Sequence, residues 1–213
     1  MVKRCVRVYV EGGAKGKPAD SDFRRGWKKF LNELHDLAMD EGYHSLDVVR
    51  GKDRSNAFRG FTRHKTQYPN DLCVLLVDAE TAVPEHTGVW DVVARRPGDH
   101  WQRPSWATES HLYLMVQLVE TWLLTDQDAL QKFFGRDFNR RLLPTTNLEA
   151  RSKNEIQSAL DRATRNSSKG PYRHGQAHEI IGIVDPDKVK TLGHGRRLFD
   201  SLGSLIRNEA ETC

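Results

Sequence analysis

Leu72 to Val77 reads LCVLLV, six apolar residues without a polar break, and the run stops at Asp78. A helix or a half-exposed strand of this length would show a polar face. An uninterrupted run suits a strand covered on both sides, as in the middle of a parallel sheet. A second strand-like stretch, Arg4 to Val10, alternates, is β-branched and ends at Glu11; a third, Leu46 to Val49, is shorter. Between them the pattern changes to three- and four-residue steps. Phe23, Trp27, Phe30, Leu31, Leu34 and Leu37 make one apolar stripe, capped by Asp20 or Ser21 and stopped by Gly42, and Ser55 to Gln67 forms the next helix. Strand, helix, strand, helix, strand is the alternation of an α/β parallel sheet, and right-handed crossovers bring the strand exits to one edge.

Beyond Glu80, Thr81 to Glu109 reads as an irregular segment carrying Trp90, Trp101 and Trp106. His111 to Met115 is a further short strand, and Gln117 to Phe134 a single helix closed by Gly135. From Arg136 onward helical patches at 153–165, 176–184 and 196–206 alternate with Ser, Gly and Pro. The expected organisation is an α/β domain over 1–135 with a small helical C-terminal appendage over 136–213 packed on it. The chain has 213 residues, enough for one good core.

Ligands of such sheets gather beyond the carboxyl ends of the strands, and two strands carry acids there. Glu11 follows the first; Asp78 and Glu80 follow the third, one residue apart, so that an extended segment would aim both at one ion. Magnesium prefers carboxylate oxygens and keeps several waters, so two or three such groups suffice to bind it. The alternative is that these acids only cap the helices that follow. Glu120 stands among Val116, Val119, Trp122, Leu123 and Leu124, where a carboxylate needs a metal or an ion pair, for instance with an arginine of the second helix.

Other chemistries fit less well. The stretch EGGAKGKP has Glu11 where a phosphate loop needs its first glycine and Pro18 where it needs a hydroxyl. His174 and His178, four apart, resemble a zinc pair, but Gly175 lies between them and no HExxH arrangement is present. There is no GxSxG elbow. Cys5 and Cys73 sit in strands and Cys213 stands apart, without a CxxC pair. No apolar run approaches the roughly 18 residues of a membrane span and no early stretch resembles a signal peptide, so the expected setting is cytoplasmic. The net charge of +4 is modest, but the cations are clustered, at Arg24-Arg25 with Lys28-Lys29, at Arg50 to Arg54 and at Arg59 to Lys65. Such clusters form solvated faces or tracks for phosphates.

The strand-ending VYVEGG together with VLLVDAE resembles the Toprim domain of topoisomerases, primases and OLD-type nucleases. The closer resemblance is to small stand-alone Toprim-like proteins of unknown function encoded beside an ATPase. It extends to the Trp-bearing middle segment and to HLYLMVQLVETWLLTDQDAL, covers most of Arg4 to Phe134, and continues more weakly over Tyr172 to Val189. It implies a Toprim-like (Rossmann-like) sheet and a magnesium- or manganese-dependent nuclease. Glu11, Asp78 and Glu80 would be its catalytic and metal-binding acids, and Glu120 an additional metal ligand. Glu80 stands where the Toprim pattern has a second aspartate. Lys15, Lys17, Arg50 and Arg54 would contact DNA or RNA, and an ABC- or AAA-type ATPase would be a partner, in phage defence or toxin-like cleavage. The rival expectation is a Toprim-shaped, non-catalytic regulator of such an ATPase.

Overall fold

In the computed structural model, residues 3–12 and 17–211 are described, side chains of 17–20 and 211 apart. Four parallel strands form one sheet in the order β2-β1-β3-β4: β1 is Val6–Val10, β2 Leu46–Arg50, β3 Leu72–Asp78 and β4 Leu112–Met115. The helices are α1 Lys17–Phe30, α2 Asn32–Asp40, α3 Arg54–Gln67, α4 Val89–Arg95, α5 Val119–Leu123, α6 Gln127–Phe134, α7 Lys153–Thr164, α8 Ala177–Ile180, α9 Pro186–Val189 and α10 Gly193–Glu211, with short 3-10 turns between several of them. This is the expected α/β, Rossmann-like arrangement. Among the described residues no helix is long and apolar enough to cross a membrane.

The two-residue period of the strands divides the core. Val6, Val8, Val10, Leu72, Val74, Leu76, Tyr113 and Met115 face one side and pack with Phe23, Trp27, Phe30 and Trp122. Tyr9, Cys73, Leu75, Val77, Leu112 and Leu114 face the other and pack with Phe61, Trp90 and Trp101. Central β3 is covered on both faces, which is why its sequence lacks alternation. The C-terminal helices belong to the first of these cores: Ile156, Leu160, Ile180, Leu198, Leu202 and Ile206 join the cluster of α1 and α2. A close crossing sets α1 against α8, since a Cβ added at Gly26 would meet the backbone oxygen of His178 at 1.9 Å.

Three expectations need correction. The single apolar stripe from Phe23 to Leu37 spans two helices, broken at Leu31, and α1 already begins at Lys17 rather than at the expected Asp20 or Ser21 cap. Gln117 to Phe134 is also two helices, because Asp126 accepts a hydrogen bond from the Ala129 N–H and caps a new start. The irregular middle segment contains α4, which buries Val89, Trp90 and Val93.

Candidate functional site

The carboxyl edge of the sheet brings the predicted acids together. Glu11 leaves β1 with one oxygen engaged: Oε2 accepts from Arg54 Nη1 at 2.9 Å and from the Asp78 N–H at 3.2 Å. Asp78 ends β3, and its Oδ1 accepts from the Val119 N–H at 2.9 Å, the first residue of α5. Glu80 does not continue the strand. Its φ of 67° is left-handed, its N–H donates to Gln117 O at 2.7 Å, and its Oε2 pairs with Lys153 Nζ at 2.5 Å. A non-glycine residue seldom takes that conformation, and such strain gathers at functional sites. The extended Asp78–Glu80 geometry expected from the sequence is therefore replaced by a turn.

Glu120 is fully buried. Its Oε1 accepts from the Tyr172 hydroxyl at 2.7 Å and from His174 Nδ1 at 2.6 Å, while Oε2 has no partner. The compensating charge is thus a histidine from the C-terminal segment and not an arginine of the second helix. A pattern repeats across all four acids. Each commits one oxygen to the protein, and no hydrogen bond among the described residues takes the other.

The electrostatics follow from this crowding. Burial, then the charges of Glu11, Glu120 and Glu80, hold the Asp78 carboxyl well above the usual aspartate range. Burial also raises Glu11, although Arg54 pulls it back. Burial pushes Glu120 upward too, but hydrogen bonds from His174 and Tyr172 outweigh it and the net shift is downward. His174 is raised in turn, chiefly by its bond to Glu120.

Arg54 is the hub on the other side of Glu11. Its side chain is 8% exposed; it reaches Asp99 Oδ2 at 2.6 Å, donates to the Asp78 carbonyl oxygen, and lies over the Trp101 ring. A cleft of about 510 Å3 opens here, lined by Glu11, Gly12, Lys52, Arg54, Asp99 and His174. Of the residues expected to contact nucleic acid, Arg54 is buried in this network and Arg50 donates to the Gly12 carbonyl at 3.3 Å. Lys15 and the side chain of Lys17 lie outside the described residues.

The two histidines that resembled a zinc pair serve different partners. His174 occupies a 3-10 turn and faces Glu120, whereas His178, in α8, accepts through Nδ1 from Trp27 Nε1 at 3.1 Å. Burial lowers the His178 pKa from 6.5 to about 4. The unfolded chain therefore takes up a proton near pH 6.5 that the folded protein refuses until about 4. Stability present above pH 6.5 is lost as pH falls toward 4, by about 3 kcal/mol from this group. Urea unfolding at pH 7, 5.5 and 4 measures it, and His178→Gln should flatten the slope.

Tyr172, Asp99 and Lys153 were not singled out from the sequence, while Arg54 was expected only as a nucleic-acid contact and His174 only as half of a zinc pair. Arg54 comes from the start of α3 and Asp99 from the segment after α4, whereas Lys153, Tyr172 and His174 reach the acids from the C-terminal chain returning over the sheet edge.

A divalent cation suits this donor set. The orphaned Oε2 of buried Glu120 and the like-charge strain on Asp78 are both relieved by positive charge. Among the described residues no three acid, histidine or cysteine side chains are gathered closely enough to bind one ion together. At most one or two of these carboxylates could contact a single ion.

Fold and site together define a parallel α/β protein with clustered carboxylates beyond the carboxyl ends of its strands. The chain belongs to the family described as a domain of unknown function, DUF4276, which matches residues 24–196. That match includes Asp78, Glu80, Glu120, Tyr172 and His174 and begins after Glu11. No curated protein and no solved structure matches the chain.

Proposed function

We propose that this protein is a Toprim-like, magnesium- or manganese-dependent phosphodiesterase that cuts DNA or RNA. The observation that carries the reading is the half-committed state of the acids: Glu11, Asp78, Glu80 and Glu120 each keep one oxygen outside the described hydrogen bonds, and Asp78 is under like-charge strain. Asp78, with Glu11 or Glu120 beside it and water completing the shell, would hold the cation. Bound there, it would neutralise charge on the phosphoryl oxygens and acidify the attacking water. Arg54 fixes Glu11 by one oxygen, leaving the other to take a proton from water or return one to the leaving oxygen. Lys52 and His174, on the cleft wall, meet the phosphate.

An ABC- or AAA-type ATPase partner, in phage defence or toxin-like cleavage, follows from the resemblance to stand-alone Toprim-like proteins. The cytoplasmic setting follows from cysteines that form no CxxC pair and from the short apolar runs of the sequence. A second reading, a non-catalytic regulator of such an ATPase, is favoured by one observation. Arg54, Lys153 and His174 already pair with three of the four acids.

The test is incubation of the purified protein with plasmid, single-stranded DNA and transfer RNA, in magnesium, manganese or EDTA. Metal-dependent cleavage that Glu11→Gln abolishes is expected. Cleavage that survives EDTA contradicts the mechanism; no cleavage with any substrate, alone or with an ATPase encoded beside it, favours the regulator.

A further inference from the structure

A basic groove lies one strand away from the acids. β2 is an edge strand, paired only with β1 in the sheet. A groove of about 470 Å3 runs along it, lined by Arg7, Arg24, Lys28, Arg50 and Lys52 and by one acid, Asp47. Arg7 is bound to Asp47 at 2.6 Å. Arg24, Lys28 and Lys52 are exposed and make no ion pair among the described residues. The whole chain has a net charge of +4, so this groove concentrates positive charge well beyond the average surface.

Two features connect the groove to the candidate site. Lys52 lines both the groove and the cleft of Glu11 and His174. Arg50, at the end of β2, donates to the carbonyl of Gly12, the residue after Glu11. Lys52 also has a φ of 67°, a conformation an ordinary loop residue seldom takes, at the point where groove meets cleft.

We infer that the β2 edge groove is the track for a single nucleic-acid strand, which passes from Arg24 and Lys28 over Lys52 into the cleft. The inference rests on the phosphodiesterase reading and specifies its substrate as a polynucleotide engaged over several phosphates. Five residues of strand span about 16 Å, and a stacked strand carries a phosphate about every 3.4 Å. The groove therefore accommodates about five phosphates to one side of the cut, opposite its cations. A mononucleotide or a small phosphoester would fill the cleft and leave the groove unused. The row of charge also blocks β2 from pairing with another sheet edge.

The experiment measures binding and hydrolysis separately. Binding of a fluorescent 20-nucleotide single strand, DNA or RNA, is titrated in EDTA from 50 to 200 mM salt, for the wild type and for Arg24→Ala/Lys28→Ala. Both residues are exposed on α1, so folding is not at issue. Affinity should fall about tenfold at 100 mM salt, and the slope of log K against log salt should shrink by about 1.4 for two lost contacts. Hydrolysis of a short diester, bis-p-nitrophenyl phosphate, should be unchanged in the same variant while cleavage of the oligonucleotide drops.

Equal oligonucleotide binding by variant and wild type overturns the track. So does a variant defect confined to anionic phosphatidylserine vesicles, which would make the groove a membrane-facing surface. Asp78→Asn separates the two claims. If it binds normally and still cuts, the Asp78-centred mechanism fails while the groove stands. If the wild type binds and cuts and the variant binds normally without cutting, both stand. If the wild type binds but cuts in neither magnesium nor manganese, the phosphodiesterase assignment fails while the groove stands.

Discussion

Asp78→Asn is expected to abolish metal-dependent cleavage, by about a thousandfold or more, and at the same time to make the metal-free protein harder to unfold. The two effects share a cause. The Asp78 carboxyl is raised by burial first and then by Glu11, Glu120 and Glu80. A group whose folded pKa lies above its unfolded one contributes stability that is complete below the unfolded value and lost as pH rises through the folded value. Wherever Asp78 is ionised, its charge opposes folding. Asparagine keeps an oxygen for the Val119 N–H and removes the charge. In EDTA at pH 7.5 the thermal midpoint of the variant should lie a few degrees above that of the wild type, and the gap should close as the pH is lowered. In magnesium the order reverses, because saturation at a hundred times Kd stabilises only the wild type, by about 2.7 kcal/mol. A variant that loses activity and stability together would make Asp78 a structural residue.

Arg54→Met should have the largest effect on stability. The guanidinium joins Glu11, Asp99 and the Asp78 carbonyl, and the Asp99 side chain is only 3% exposed. Removing one partner of a buried ion pair leaves the other charge without compensation and costs about 3–5 kcal/mol. Arg96 still reaches Asp99 Oδ1 at 3.0 Å, which places the loss toward the lower end. For a chain of this size that corresponds to a fall of about 10 °C in thermal midpoint. Adding Asp99→Asn should recover part of it, since the stranded carboxylate is the main source of the penalty. A single variant within about 1 kcal/mol of the wild type would show that the buried network is replaceable by solvent.

What the sequence disclosed was governed by periodicity. β3 was legible because a strand covered on both faces has no polar interruptions, and the acids at strand ends were legible because the strands themselves were. The breaks in the helices were hidden for the opposite reason. Leu31 is apolar and buried, so the stripe continues across the end of α1. Leu123 and Leu124 likewise mask the end of α5, although the Asp126 cap followed by Ala129 and Leu130 was a readable start signal. In α4, seven residues are too few to establish a helical period.

At the site, local sequence placed the carboxylates but not what balances them. Arg54 reaches Glu11 across 43 positions, His174 reaches Glu120 across 54, and Lys153 reaches Glu80 across 73. No spacing rule links residues that far apart. The four-residue step between His174 and His178 does not place them on one helical face, because a 3-10 turn meets α8 between them and each ring turns to a different partner.

The central claim is that acids from separate strands and a helix share one divalent ion at the sheet edge. The most direct measurement is an anomalous difference map from a crystal soaked in manganese. The account predicts a peak within coordination distance, about 2.2 Å, of Asp78, flanked by Glu11 or Glu120, and no peak in Asp78→Asn crystals. Manganese bound only elsewhere, or no peak at saturating metal with the Arg54–Glu11 and Lys153–Glu80 pairs intact, would contradict it.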